Sequence, residues 1–427
     1  MSPKQDNIMI SKDRIKDVIR YFQDYTAEVK VLPRPIFLEE HGNYVFVGLR
    51  RVGKTYMLFQ QIQHFLQRGV SKQQILYINF EEERLAELTT SDLSLILDCY
   101  SEMFDYSPII FLDEIQLIDK WEKFARRLAD SKYRVYISGS NAKMLSSEIA
   151  TTLGGRYLIK EIYPLSFREF AEKKGIELSE NLQYGNERIA ILKTFEEYFH
   201  YGGLPELLLF KEKRQWLNSL YQKIFFGDLI ARYEIRNSFA MKILVKKLAE
   251  SVRQPISYSR MANIVSTVGI KIGKSTIIEY VEHLMETWLL FSLSNYVAKL
   301  SDRESNRKYY FADNGILNLF LFDGETALLE NLVAIALLKK YRDELFFYNK
   351  NVEIDFFIPE QQMAIQVCYS LSDINTRKRE VNALLQISKY WKITKHLIIT
   401  KDEEDTIAED GIQIEVIPLW KWLLYKI

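Results

Sequence analysis

The stretch Gly48-Leu-Arg-Arg-Val-Gly53-Lys54-Thr55 decides the fold, because it fits the pattern G-x-x-x-x-G-K-[ST]. An apolar run, Tyr44–Val47, precedes it, and an amphipathic run from Lys54 to Gln67 follows it. A strand, a glycine-rich turn and a helix in this order let backbone N–H groups and the helix N-terminus surround a phosphate. We therefore expect a phosphate-binding loop. The alternative, a glycine-rich turn that binds nothing, does not explain the flanking strand and helix.

Two side chains of this loop have defined roles in phosphate chemistry. We expect Lys54 to reach the β and γ phosphates of a nucleotide and the Thr55 hydroxyl to hold Mg²⁺. This pattern predicts a nucleotide with β and γ phosphates together with Mg²⁺. The residues expected to line the nucleotide are Gly48, Arg50, Arg51, Val52, Gly53, Lys54, Thr55, Tyr56, Ser138 and Ser140.

Further apolar runs continue outward from the loop, at Ile75–Ile78, Ile109–Leu112 and Val135–Ile137. The segments that join them have apolar residues at helical spacing. Strands and helices in alternation predict a parallel sheet covered by helices, an α/β core. Strands buried on both faces are apolar throughout, as these are. We expect this core to span about residues 36 to 165.

The composition restricts the class of protein. The chain has 427 residues, and at roughly 150 residues per domain it holds about three domains. Its 57 Lys and Arg residues balance 57 Asp and Glu residues, so bulk positive charge does not coat nucleic acid and any such surface is local. With 48% hydrophobic residues, we expect folded protein nearly throughout.

Cysteines and apolar segments indicate the compartment. Cys99 and Cys368 are the two cysteines, too few for a disulfide framework or a zinc site, and they fit a reducing cytoplasm. Met1–Asp13 has no apolar signal-peptide core. The longest apolar stretch, Ala327–Leu338, contains Glu330 and is shorter than the roughly 20 residues that cross a bilayer. We expect a soluble, cytoplasmic protein without a membrane partner.

Two carboxylates, Asp113 and Glu114, follow the apolar strand Ile109–Leu112. Ligands bind at the carboxyl ends of parallel strands, so we expect Asp113 to position Mg²⁺ and Glu114 to take the proton of the attacking water. The alternative is two solvated carboxylates that open a turn. The next strand ends at Ser138 and Ser140, which could orient the water or sense the γ-phosphate, or only cap a turn.

An arginine follows a flexible turn in Gly154-Gly155-Arg156. We expect Arg156 to stabilise transition-state charge as an arginine finger, in its own chain or in a neighbouring subunit. A surface arginine in a loop is the equal alternative.

After Pro164 the pattern becomes helical. Three helices near Phe239–Val252, Ser257 and Ser275–Trp288, then two strands up to Phe311, predict a winged helix, with Ser238, Ser257 and Ser275 as N-caps. Such a module can bind double-stranded DNA, and a protein contact is the alternative. Basic side chains favour DNA and acidic ones oppose it. The basic ones are Lys271, Lys274, Arg303, Arg307 and Lys308, and the acidic ones are Glu279, Glu282 and Glu286.

Together these motifs resemble the bacterial and archaeal AAA-type ATPases. The residues that carry the resemblance are Gly48–Thr55, Asp113-Glu114-Ile-Gln, Ser138-Gly-Ser140, Gly155-Arg156-Tyr157, Pro164–Phe170, Tyr309–Gly315 and Pro418–Trp422. More narrowly, they resemble the branch whose members carry a winged helix and a C-terminal domain of unknown function with a restriction-endonuclease-like core. The resemblance implies ATP binding and hydrolysis.

Nucleases of the PD-(D/E)xK type have a helical carboxylate, a strand carboxylate and then E-x-K. Here Glu330 and Asp355 are followed by Gln366-Val-Cys368, which lacks a metal ligand and a positive charge. We expect a degenerate, inactive nuclease-like domain. We expect Glu330, Glu353 and Asp355 to be surface carboxylates of a helix and a hairpin, and the alternative is that they still bind a metal weakly.

These expectations combine into one organisation and one function. We expect an ATPase that couples Mg²⁺-dependent hydrolysis to domain movement in a DNA-linked process. The alternative is a nucleotide-gated protein-interaction switch with slow turnover, and a protein partner or self-association is open. The expected segments are an N-terminal helical segment (1–35), the ATPase core (36–165), a helical lid (166–238), the winged helix (239–312) and the nuclease-like domain (313–427).

Overall fold

The apolar runs around the phosphate loop form a five-stranded sheet in the computed structural model. The strands are β1 (Asn43–Val47), β2 (Ile75–Asn79), β3 (Ile109–Asp113), β4 (Arg134–Gly139) and β5 (Tyr157–Glu161), in the spatial order β2-β3-β4-β1-β5. Every neighbouring pair is parallel, which confirms the predicted α/β core. Because β3, β4 and β1 are neighbours, the segments that follow them meet at one edge.

The structure describes residues 10–141, 144, 147–178, 185–269 and 271–427, and the chain divides into two units after Ile162. Residues 1–9 of the predicted N-terminal segment lie outside the described residues. The helices of the first unit are α1 (Lys12–Glu28), α2 (Lys54–Gln67), α3 (Leu93–Met103), α4 (Trp121–Asp130) and α5 (Ser147–Leu153). Among the helices described in both units, none has the length and apolarity needed to cross a bilayer.

The second unit begins with helices and a small sheet. The helices are α6 (Phe167–Lys173), α7 (Gly185–Tyr201), α8 (Lys213–Lys223, continued by a π-helix, Ile224–Ala231), α9 (Ser238–Glu250), α10 (Tyr258–Thr267), α11 (Lys274–Glu286) and α12 (Leu300–Ser305). Strands β6 (Ile256–Ser257), β7 (Leu290–Leu293) and β8 (Asn306–Phe311) pair in the order β6-β8-β7.

The predicted N-caps of these helices are correct at one position of three. The Ser257 side chain accepts from the backbone N–H of Arg260 and caps α10. The N-cap of α9 is Asn237, whose side chain accepts from Ala240, and the N-cap of α11 is Gly273, which has no side chain to cap it. The predictions of Ser238 and Ser275 as N-caps are therefore wrong.

The unit ends in a six-stranded mixed sheet. Its strands are β9 (Phe346–Asn349), β10 (Glu353–Ile358), β11 (Met363–Val367), β12 (Lys395–Thr400), β13 (Asp405–Glu409) and β14 (Ile412–Pro418), in the order β13-β14-β12-β11-β10-β9. The helices are α13 (Asn314–Leu317), α14 (Glu325–Tyr341), α15 (Ile374–Ile387) and α16 (Leu419–Tyr425). The sequence did not predict the hairpin β13–β14, because β13 is an edge strand with one buried residue, Ile407.

A buried carboxylate connects distant parts of the second unit. Asp313 caps α13 by accepting from the backbone N–H groups of Gly315 and Ile316, and it also accepts from Gly203 at 2.8 Å. Burial raises the pKa of Asp313 to about 6, although the three backbone donors lower it. Gly315 lies so close to Tyr201 that a Cβ would come within 2.0 Å of the Tyr201 carbonyl oxygen. The glycine therefore permits this junction.

We predict that Gly315→Ala destabilises the second unit. The new methyl group meets the Tyr201 backbone, which must shift at a cost of about 3 kcal/mol in the free energy of unfolding. Gly227→Ala is the matched control, since the nearest atom to its Cβ is 3.9 Å away. Urea denaturation should give a lower midpoint for Gly315→Ala alone, and equal midpoints would contradict this account.

Candidate active site

The phosphate loop connects β1 to α2 with backbone conformations that favour glycine. Gly48 has φ of 145° and Gly53 has φ of 99°, and Arg51 adopts φ of 64° between them. A Cβ at Gly48 would lie 2.3 Å from the carbonyl oxygen of Ile162, which follows β5. The glycines thus let the chain turn closely against its neighbouring strand and enter α2.

The Lys54 ammonium group lies inside this loop. Its Nζ atom donates to the carbonyl oxygens of Gly48 and Leu49, both at 3.1 Å, and lies 3.9 Å from Oε1 of Glu114. The side chain is 3% exposed. A buried positive charge at a helix N-terminus fits an anion such as a phosphate group.

Asp113 ends β3 as a buried carboxylate with several hydroxyl donors. The Tyr77 hydroxyl donates at 2.6 Å, and the hydroxyls of Ser138 and Thr55 also donate. Burial, and then the charge of Glu114, raise the pKa of Asp113 to about 6. Oxygen ligands from Thr55 and Asp113 in contact with each other suit Mg²⁺, which prefers hard oxygen donors.

Glu114 follows with a left-handed backbone, φ of 54°, and its N–H donates to the Ser138 hydroxyl at 3.1 Å. Its Oε2 atom accepts from Gln116 Nε2 and from the Ser140 hydroxyl. Burial acts to raise the pKa of Glu114, but Lys54, Gln116 and then Arg50 act against it, and the net pKa is lowered. Glu114 is therefore a carboxylate ready to accept a proton.

The two predicted serines, Ser138 and Ser140, form hydrogen bonds with the adjacent carboxylate residues Asp113 and Glu114. Ser138 contacts both Asp113 and Glu114, and Ser140 contacts Glu114. Sequence reasoning did not identify Tyr77 and Gln116 as part of this network. Gln116 lies two residues beyond Glu114 in a motif already noted, whereas Tyr77 belongs to an apolar strand and gave no signal.

The remaining loop residues have separate surroundings. Arg50 pairs with Glu81 at 3.2 Å, Val52 is buried, Arg51 is exposed and Tyr56 is 46% exposed.

Arg156 lies at the opposite edge of the sheet. It pairs with Asp130 at 2.5 Å, and this contact lowers the pKa of Asp130. The next residue, Tyr157, begins β5 opposite Asn43, the first residue of β1. The phosphate loop starts beyond Val47, about 13 Å further along at roughly 3.3 Å per residue. At this end of the sheet Arg156 pairs with Asp130, and its role as an arginine finger, in its own chain or in a neighbouring subunit, stays a prediction.

The C-terminal carboxylates surround a lysine that the sequence assigned to a DNA-binding wing. Lys308 Nζ lies 3.1 Å from Asp355, 3.5 Å from Glu330 and 3.8 Å from Glu353, and its side chain has no exposed surface. The Gln366 side-chain amide accepts a hydrogen bond from the backbone N–H of Asp355 and donates one to the backbone carbonyl oxygen of Glu353. In the described part of the chain, no group of three or more His, Cys, Asp or Glu side chains has the arrangement of a metal site.

The other wing arginines also have internal partners. Arg303 donates to the Tyr296 carbonyl oxygen at 2.8 Å, and Arg307 donates to the Ser292 hydroxyl at 3.1 Å. Lys308 is unavailable to DNA, so its predicted role as a phosphate contact is wrong. Lys271 and Lys274 are exposed, close in sequence to the exposed Glu279.

Comparisons with known proteins agree with the geometry of the first unit. Residues 40–171 match the AAA domain family, and residues 192–327 match a domain of unknown function, DUF8612. The chain is 35% identical to the uncharacterized protein MJ1544 of Methanocaldococcus jannaschii, covering 98% of this chain and 93% of that protein. An uncharacterized protein of Haemophilus influenzae is 30% identical, covering 89% and 94%.

Solved structures that are similar to this chain include the Walker-type ATPase PABY2304 of Pyrococcus abyssi. The match has 14% sequence identity and a TM-score of 0.41, and it covers 75% of this chain and 98% of that chain. The AAA domain match confirms the expected AAA-type core.

The buried Glu330 makes the stability of the second unit depend on pH. Burial raises its pKa to about 7 despite the charge of Lys308, so between pH 4.5 and 7 the folded state keeps a proton that the unfolded state loses. Stability therefore falls as pH rises through this window, by at most about 3 kcal/mol.

We predict that Glu330→Gln reduces the difference in unfolding free energy between pH 5 and pH 8. Glu353→Gln is the control, because the Glu353 side chain is 53% exposed and solvent screens its charge. Urea titrations at both pH values measure the difference, and an unchanged difference in Glu330→Gln would contradict the assignment.

Proposed function

We propose that this chain, which belongs to the same family as MJ1544 of Methanocaldococcus jannaschii, binds ATP with Mg²⁺ and hydrolyses it. One observation carries the proposal. The buried ammonium group of Lys54, inside the phosphate loop, lies 3.9 Å from the carboxylate of Glu114, which neighbours the buried Asp113. A phosphate grip and a proton acceptor at this separation are the two groups that phosphoryl transfer to water requires.

The residues divide into binding and chemical roles. The backbone from Gly48 to Gly53 would surround the phosphates, and Lys54 would exchange its two loop carbonyls for phosphate oxygens. Thr55 and Asp113 would hold Mg²⁺, which when bound neutralises charge on the phosphates. Glu114 would accept the proton of the attacking water at its carboxylate.

The second unit contains the three parts that we propose move during the nucleotide cycle: a helical lid, a winged helix and a nuclease-like domain. Helices α9 to α11 with the β6-β8-β7 sheet support a winged helix at 239–312. The helices between residues 166 and 238, which precede it in the sequence, support a helical lid. The order of α14, β10 and β11 supports a nuclease-like domain at 313–427. Gln366, an amide where a metal-ligating carboxylate is expected, bonds the backbone N–H of Asp355 and supports its inactivity. Both cysteines are buried and free, which supports a reducing cytoplasm as the location.

We predict that Lys54→Ala loses ATP affinity by at least about tenfold, because the phosphates lose a charged partner in a site with little water. Isothermal titration calorimetry with MgATP measures the dissociation constant. Lys123→Ala, at an exposed position on α4, is the control. Equal affinities for Lys54→Ala and the wild type would refute the phosphate-loop assignment.

We predict that Glu114→Gln binds ATP normally and hydrolyses it about 100-fold more slowly. The amide keeps the shape of the side chain but does not accept a proton from water. Phosphate release under saturating ATP measures turnover. A wild-type rate in the variant would remove Glu114 from the role of general base.

The proposed DNA-linked role depends on the exposed Lys271 and Lys274. Double-stranded DNA should raise the ATPase rate, and the rise should disappear with added salt, because phosphate contacts release counterions. The combined variant Lys271→Glu and Lys274→Glu should lose the stimulation and keep the basal rate.

The second candidate is a nucleotide-gated protein-interaction switch. It is favoured by the internal partners of Arg303, Arg307 and Lys308, which leave few basic groups for DNA. A slow hydrolysis rate that DNA leaves unchanged at all salt concentrations would support the switch.

A further inference from the structure

The two oxygens of the Glu114 carboxylate have different surroundings. Oε2 accepts two hydrogen bonds, from Gln116 Nε2 and from the Ser140 hydroxyl at 3.1 Å. Gln116 Nε2 is also 3.3 Å from the Ser140 oxygen, so the three side chains form a closed triangle. Oε1 instead faces Lys54 Nζ at 3.9 Å. One oxygen is thus held, and the other is directed toward the phosphate loop.

The chain builds this triangle from two rigid elements. Glu114 and Gln116 belong to a single tight turn after β3, in which the left-handed backbone of Glu114 brings residue 116 back toward it. Ser140 follows β4, which pairs with β3. A Cβ at Gly139 would lie 2.6 Å from Gln116 Oε1 and 2.0 Å from Met144 Sδ. The absence of a side chain at Gly139 therefore leaves room for the Gln116 amide.

The amide has a second feature that points to a function. Its Oε1 atom is buried and lacks a hydrogen-bond partner among the described residues. An unpaired buried acceptor costs about 1–3 kcal/mol, and none of the described residues offsets that cost with a donor. Buried polar groups that lower the stability of the folded protein in this way are found mainly at active sites.

We propose that Gln116 is the positioning residue of the general base. With Ser140, it fixes Oε2 of Glu114 and leaves Oε1 to receive the proton of the attacking water. The water oxygen forms a bond to the γ-phosphorus, its proton passes to Oε1, and the bond to the β–γ bridging oxygen breaks, with its electron pair leaving on ADP. This inference rests on the proposed ATPase function.

The test is Gln116→Leu, which keeps the approximate volume and removes the donor. We expect kcat to fall about tenfold and the dissociation constant of ATP to change by less than about twofold, because the amide touches the base and not the phosphates. Gln67→Leu, an exposed position at the end of α2, is the matched control. Ser140→Ala removes the other donor to the same oxygen and should also lower kcat, which keeps the test open if Gln116→Leu does not fold.

A double-mutant cycle distinguishes positioning from a general effect on the fold. If Gln116 acts through Glu114, then Gln116→Leu has no further effect on turnover in the Glu114→Gln background. An equal loss in both backgrounds, a wild-type kcat, or faster turnover in Gln116→Leu would each overturn the proposal. If the wild type does not hydrolyse ATP, the proposed function fails. If it does and Glu114→Gln is equally fast, the assignment of Glu114 as the base fails, and the inference about Gln116 fails with it while the ATPase function stands.

Discussion

The parallel pairing of β3, β4 and β1 is the constraint on which the site depends. The carboxyl ends of neighbouring parallel strands lie side by side, so the chain segments that follow them converge. Lys54 comes from the segment after β1, Asp113 from the end of β3, and Ser138 from β4. The same directionality puts Arg156, which precedes β5, at the far edge.

Both units manage buried charge by the same physical rule. A buried ion is costly unless an opposite charge or several donors compensate it. In the first unit, Lys54 faces Glu114, and hydroxyl groups surround Asp113. In the second unit, Lys308 lies among three carboxylates. The first arrangement leaves the Lys54 ammonium group in the loop that we propose binds phosphate, whereas in the second the charge of Lys308 is compensated by carboxylates of the protein itself.

The sequence predicted those parts of the structure that local patterns determine. The continuous apolar strands, the phosphate loop and the Asp113–Glu114 pair all follow from short stretches. The partners of Lys308 did not follow from a short stretch, because Lys308 contacts Asp355, which lies 47 residues later in the sequence. The position of Arg156 depended on the direction of β5 in the sheet. Hairpin β13–β14 was missed because its edge strand buries too little to show a pattern.

The position of Lys308 has a consequence for how this protein can be divided. Its positive charge comes from strand β8, while the carboxylates it compensates come from α14 and β10. A fragment that begins after residue 312 would keep the acidic groups and lose their counter-ion. A shortened protein that keeps Glu330 paired with Lys308 must therefore begin before β8, so the boundary for expressing this part alone is set by charge compensation and not by the order of the helices and strands.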